Sequence, residues 1–226
     1  MPGYNIDPEK NMAGTLLQCQ RDFGNVPVDI ILTATYQVSI DAFAQTKTKA
    51  FPNGILSTRI PEIVNDAVRV AEEAKCKGAK VALSIGPYGA TMKPCQEYSG
   101  QYDNAHHSLD ALHHWHRERM KLLAGITDIR PRLGYLSLET IPRIDEIKAM
   151  RKFPDATPKL AEIPFWMACV YSDAAETLPS GASAEEAVDA TVNFYPCILS
   201  KSLRDVLTLV KLFNDFHWLI ELSTLT

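Results

Sequence analysis

The residues best placed to do chemistry lie where apolar runs stop. Ser84-Ile85-Gly86-Pro87-Tyr88-Gly89-Ala90 is followed closely by Glu97-Tyr98-Ser99-Gly100-Gln101-Tyr102. Two glycines, a proline and a tyrosine end a strand in a loop rich in backbone N–H groups and hydroxyls. In a β/α protein that is the usual place for ligand contacts. Tyr88, Tyr98 and Tyr102 either line a pocket there or simply cap the loop. Glu139 ends a second apolar run, an unusual position for a charge. Read without a ligand, it caps the helix that follows through a backbone N–H near Ile141, favoured by the helix dipole.

Histidines and cysteines offer a different chemistry. His106, His107, His113, His114 and His116 crowd together, and His113 and His116 are spaced to share one helix face and a metal. No cysteine is near them, and the run falls on an outer helix, so a solvated face is the expected reading. The five cysteines, Cys19, Cys76, Cys95, Cys169 and Cys197, are widely spaced with no Cys-x-x-Cys pair. That argues against a disulfide framework and against a local zinc knuckle. Cys169 reads as an apolar filler on a buried strand. Cys95, beside Pro94, is nearer the loop but is not expected to touch a metal. No Gly-x-Ser-x-Gly elbow supports a serine nucleophile.

The elements that must position these groups alternate along the chain. Strands are expected at 28–34, 79–85, 133–138 and 163–170. Helices are expected at 60–74, 108–124, 142–151, 184–189 and 199–213. The clearest is 60–74, where Ile63, Val64, Ala67, Val68 and Ala71 recur at helical spacing, with Pro61 in the first turn and Gly78 past the end. Residues 142–151 carry Pro142 in the first turn, and 184–189 runs into Thr191-Val192-Asn193-Phe194. This alternation means parallel β/α units in one domain, with 1–27 an irregular N-terminal segment and 28–226 the β/α unit. The fold is either an open doubly wound sheet or a closed barrel. The absence of both the Gly-x-Gly-x-x-Gly and P-loop patterns removes the commonest reason to prefer the open sheet.

Composition excludes several classes. The 226 residues are 46% hydrophobic and 22% charged, with net charge −4 and scattered Lys and Arg, which argues against nucleic-acid binding. No apolar run approaches the roughly 20 residues needed to span a bilayer. The polar N-terminus lacks a signal-peptide layout, so a cytoplasmic setting and no membrane contact are the expectations.

Six motifs stand in a fixed order at or near strand ends. They are Asp29-Ile30-Ile31-Leu32-Thr33-Ala34-Thr35-Tyr36-Gln37, the 84–90 loop with Glu97-Tyr98-Ser99-Gly100, and His116-Arg117-Glu118-Arg119. After these come Leu138-Glu139-Thr140-Ile141-Pro142, Ile163-Pro164-Phe165-Trp166-Met167 and Val192-Asn193. Together they resemble the homocysteine S-methyltransferase family, in the branch that uses S-methylmethionine or S-adenosylmethionine. The resemblance implies an α/β fold of the (β/α)8 TIM-barrel type and a homocysteine-binding domain for methionine synthesis. It also implies a zinc ion on the homocysteine sulfur, because a thiolate must attack the methyl group of a sulfonium donor. By match, Glu139 holds the substrate ammonium, Thr35 and Gln37 lie at a strand end facing the pocket, and Asn193 precedes a zinc-binding cysteine. His116 matches a helix motif that reads as packing.

Departures from the family pattern set further expectations. Where the family has Gly-x-Asn-Cys, this chain reads Thr191-Val192-Asn193-Phe194, and it contains no Cys-Cys pair. The opening Asp-Gly-Gly strand is missing, and about five or six of eight strands are expected. Zinc should be absent or weakly bound, with no metal-ligand or catalytic residue assigned and negligible methyl transfer. The alternative is a non-catalytic truncated paralogue or fragment that binds an amino acid, or pairs with a partner or itself through open sheet edges.

Overall fold

A computed structural model describes residues 12–153, 157–171 and 177–192. Four parallel strands, β1 (Ile30–Leu32), β2 (Lys80–Ile85), β3 (Tyr135–Ile141) and β4 (Phe165–Cys169), lie in the order of the chain. The main helices between and around them are α1 (Met12–Gly24), α2 (Ile40–Gln45), α3 (Ile60–Ala74) and α4 (Leu109–Leu123). After those come α5 (Ile129–Arg132), α6 (Ile144–Arg151), α7 (Pro158–Ala161) and α8 (Ala184–Val192). α1 packs on α3, α3 on α4, α4 on α6 and α6 on α8. Helices that follow one another around one face are the arrangement of a β/α barrel wall. A doubly wound sheet would divide them between two faces.

Burial alternates across the sheet as that arrangement demands. Val81, Leu83 and Ile85 of β2, Leu136 and Leu138 of β3, and Phe165, Met167 and Cys169 of β4 pack into the core beneath the helices. The other face carries Ala82, Ser84, Ser137 and Trp166, with Trp166 beside Tyr135 at 5.6 Å between ring centres. On that inner face Leu32 is 39% exposed. β1 and β4 each pair on one side only among the described residues. The fold is α/β of the TIM-barrel type and incomplete, with four strands described.

Local sequence accounts for the elements. α3 buries Ile60, Ile63, Val64, Ala67, Val68 and Ala71 on one stripe, with Pro61 at its start. Each large aliphatic side chain so buried contributes about 1.5–3 kcal/mol. Ser108 caps α4 by accepting from Ala111 N at 3.2 Å, and Ser39 caps α2 by accepting from Ala42 N at 3.2 Å.

Four sequence expectations change. Residues 12–24 form α1 instead of an irregular segment, and its partner is α3. β3 runs three residues beyond its expected end, so α6 starts at Ile144 and Pro142 lies before the helix instead of in its first turn. Thr191 and Val192 belong to the last turn of α8, where a strand end was expected. The histidine run is not a uniformly solvated face, because His116 is buried. Asn193, Phe194, Cys197 and the expected helix 199–213 lie outside the described residues.

Candidate functional site

The C-terminal strand ends come together around Tyr36. Its ring lies over Gly86, where an added Cβ would stand 2.7 Å from the ring. Its hydroxyl lies close enough to the Thr140 side chain, near the end of β3, to interact with it. Burial pushes the Tyr36 pKa well above the ordinary value, with the charges of Glu97 and Glu139 adding to it against the Thr140 interaction. Tyr36 therefore stays protonated and spans three strand ends. Sequence reasoning quoted it within a motif and gave it no role.

Glu139 is placed by an irregularity. Leu138 pairs with Met167 and Ile141 with Cys169, so three steps on β3 match two on β4, a β-bulge at Glu139 and Thr140. The apolar spacing requires it: Leu136, Leu138 and Ile141 are all in the core, and the last gap is one residue too long for simple alternation. Thr140 takes φ 58°, rare for a β-branched residue, at a cost on the order of 1–3 kcal/mol. Glu139 does not serve as the helix cap that its position suggested. α6 begins three residues beyond Ile141, and its N-cap, Arg143, carries no side-chain cap bond. One oxygen of Glu139, Oε1, is buried with no protein hydrogen-bond partner.

Two more acceptors share that condition. Gln37 donates through Nε2 to Ala90 O at 3.0 Å, and weakly to Cys95 Sγ at 3.9 Å, while its Oε1 is buried and unmatched. Glu97 Oε2 is unmatched as well. Cys95 joins them: partial desolvation of its thiol, then the neighbouring Glu97, push its pKa up, though the residue itself is exposed. Gln37, Cys95, Glu97, Tyr36 and Glu139 thus form one linked group. Thr35 is placed differently. It is 2% exposed, and its hydroxyl bonds Ser84 O at 2.7 Å and Thr33 Oγ1 at 2.6 Å, which braces β1 against β2. Of the residues expected at the site, Gln37 and Glu139 reach the cluster, Thr35 stands behind it, and Asn193 lies outside the described residues.

Behind the 86–106 loop sits a second polar group, in which Glu146 is fully buried. It accepts from Tyr88 N at 2.6 Å, His116 Nε2 at 2.8 Å and the Tyr102 hydroxyl at 2.5 Å. Tyr88 also bonds Asp103 through its hydroxyl, stacks on His106 and meets Trp115 edge-on. Tyr88 and Tyr102 therefore secure the loop, while the exposed Tyr98 is left at its rim. Sequence reasoning missed Glu146 entirely and gave Arg119 no role. A signal existed on α4, where His116 and Arg119 fall on the same stripe as Leu112, Met120 and Leu123.

Other candidates carry less. A shallow groove at the opposite end of the sheet, between Arg130, Leu133 and Glu162, has no orphaned polar atom and an ion pair across it. Burial pushes the Cys169 thiol up to about 12, as expected for an apolar filler packed against the core. Among the described residues no group of three or more His, Cys, Asp or Glu could hold a metal ion. No described helix is long and apolar enough to cross a membrane.

Comparison with known proteins adds a family. The sequence profile described as homocysteine S-methyltransferase matches residues 5–205. The chain is 30% identical over 205 residues to the betaine-homocysteine S-methyltransferase of Drosophila melanogaster, covering 82% of this chain and 54% of that one. It is 33% identical over 176 residues to homocysteine S-methyltransferase 1 of Arabidopsis thaliana, covering 71% and 49%. The chain spans about half the length of these curated relatives. Its fold matches the crystal structure of the homocysteine methyltransferase MmuM from Escherichia coli in its metallated form. The TM-score is 0.64 at 23% identity, over 86% of this chain and 66% of that one. At that identity the likeness speaks for the fold alone.

Proposed function

The chain belongs to the homocysteine S-methyltransferase family, and from that premise we propose that its strand-end cluster binds the ammonium group of homocysteine through Glu139. The observation that carries the reading is Glu139 itself, set on a bulge with one buried oxygen that no protein donor meets. Buried polar atoms are normally paired, so an orphan acceptor marks where a ligand donates. An ammonium has three N–H donors and no acceptor, which suits unmatched acceptor oxygens such as those of Glu139, Gln37 and Glu97. Asn193 remains a proposed substrate contact, and the barrel unit is taken as 28–226.

Zinc enters only through the family resemblance. Among the described residues no group of three or more His, Cys, Asp or Glu fits it, and the cluster offers a single thiol, on Cys95. What this chain's residues support is binding and orientation. The ammonium docks on Glu139, and Tyr36, held protonated, borders the amino acid together with Tyr98. A free thiol with pKa about 8.5 is only about 3% thiolate at pH 7. Transfer of a methyl group from S-methylmethionine or S-adenosylmethionine to the bound sulfur is therefore negligible in this reading. Free cysteines at Cys19, Cys76, Cys95 and Cys169 agree with a cytoplasmic setting.

Titration calorimetry with homocysteine tests the site. The expected result is binding by the wild-type chain and at least a tenfold loss in Glu139→Gln; equal affinities overturn the assignment. Metal-dependent formation of methionine from homocysteine and S-methylmethionine would overturn the inactivity. A second reading, self-association through the sheet, rests on the exposed Leu32 and on the one-sided pairing of β1 and β4 among the described residues. A concentration-independent monomer on sedimentation removes it.

A further inference from the structure

The strand ends are also held from behind, by one side chain of the helical layer. Arg119 on α4 is 2% exposed. It donates through Nη1 to Gly86 O at 2.8 Å and through Nη2 to Tyr36 O at 3.3 Å. These carbonyls belong to the loops leaving β2 and β1. The Gly86 N–H already donates to Tyr36 O at 3.0 Å, so the guanidinium closes a small backbone ring at the base of the cluster. Burial lowers the Arg119 pKa to about 10, with Glu146 and Tyr36 opposing, so the group stays charged at neutral pH. Trp115 lies under it at 5.2 Å from the ring centre.

Packing alone gives no reason for a charge there. A buried ion costs several kcal/mol of desolvation, and an apolar side chain of similar volume serves a core as well or better. A planar fork that reaches two carbonyls at once does something no apolar residue can, and lysine, with one ammonium, cannot copy it. Both carbonyls sit on the backbone that carries the Tyr36 ring and the glycine beneath it.

We propose that Arg119 is a positioning residue for the amino-acid site. It fixes the Tyr36 and Gly86 carbonyls, and through them the Tyr36 ring, whose hydroxyl feels the charges of Glu97 and Glu139. The role rests on the homocysteine reading above, yet it has a readout independent of it, because the Gly86 amide reports directly on the clamped backbone.

The test compares the full chain with Arg119→Met, Arg119→Lys and Glu139→Gln by three measurements. They are homocysteine affinity, the urea unfolding midpoint, and hydrogen exchange at the Gly86 amide. Expected for Arg119→Met is a folded protein with at least tenfold weaker affinity and at least tenfold faster Gly86 exchange, with Arg119→Lys intermediate. Glu139→Gln should weaken binding without changing exchange. A folded Arg119→Met with wild-type affinity, or with wild-type Gly86 exchange, overturns the role. If the methionine variant does not fold, the lysine variant, which keeps the charge, is judged by the same two outcomes. If the wild-type chain binds no homocysteine, the ligand reading fails, and the exchange comparison alone decides whether Arg119 clamps the loops.

Discussion

Glu146 and Glu139 are the same residue type at opposite ends of hydrogen-bond satisfaction. Glu146 is fully buried and takes a backbone N–H, an imidazole and a phenol. Glu139, seven residues earlier, keeps a buried oxygen that no donor reaches. A carboxylate saturated by its own chain has nothing to offer a ligand and serves to tie elements together. One left unsaturated at a strand end carries a free-energy cost that a ligand can relieve. The difference divides the molecule into a bonded knot behind the 86–106 loop and an unsaturated cluster in front of it.

The largest effect should come from breaking the knot. Glu146→Ala removes the shared acceptor and leaves the Tyr88 N–H, the Tyr102 hydroxyl and the buried His116 imidazole unpaired, so it should cost about 3–5 kcal/mol of stability in urea unfolding. A loss under about 1 kcal/mol would mean the knot is not a stabilising centre. Next is Gly86→Ala, whose added methyl would meet the Tyr36 ring at 2.7 Å. Overpacking of that kind costs about 1–3 kcal/mol. It should also weaken homocysteine binding by pushing the ring into the cluster; unchanged binding would detach Tyr36 from the site.

Acid should weaken the knot more gently. Burial lowers the His116 pKa, with Arg119 and His113 adding to it against the pull of Glu146. The folded chain then binds fewer protons here than the unfolded one. Stability is complete above the unfolded value near 6.5 and is lost as pH falls from there through the depressed folded value. The slope is at most about 1.4 kcal/mol per pH unit for one proton. His116→Gln should flatten that limb in unfolding measured between pH 7 and 5, and an unchanged slope assigns it elsewhere. The smallest effect belongs to the cluster: Glu139→Gln should change stability by no more than about 0.5 kcal/mol, because no protein bond to Oε1 is lost. A large loss there would make Glu139 structural and erase the contrast.

Much of the fold was legible because it rests on local pattern. α3 runs over the expected residues to the last position, its stripe, Pro61 and Gly78 all agreeing. β2 and β4 fall within a residue or two of their expected bounds, and α4 lies just inside its own. β1 was overextended, since past Leu32 the chain turns, with Thr35 N bonded to Thr33 O, and spends its hydroxyls on β2. β3 was cut short because the bulge at Glu139 and Thr140 carries Ile141 back into the core after a break in alternation. The strand-end positions of Glu139 and Gln37 were legible, and each carries a buried oxygen with no protein partner. Thr35 was expected to face the pocket; its hydroxyl bonds Thr33 and Ser84, and it is the neighbouring Tyr36 whose ring lies over Gly86.

Periodicity was enough for alternating strands and helices, because it depends on residues near one another in the chain, and the resemblance carried by the strand-end motifs pointed to the barrel type and the family. Which carboxylate is saturated was decided by tertiary structure. The partners of Glu146 come from residues 88, 102 and 116, and the carbonyls clamped by Arg119 come from residues 36 and 86. Hydrogen-bond pairing is set by distance in space. Nothing in the run Ile144-Asp145-Glu146-Ile147 tells a knot from a solvated helix face until α4 and the 86–106 loop are folded against it.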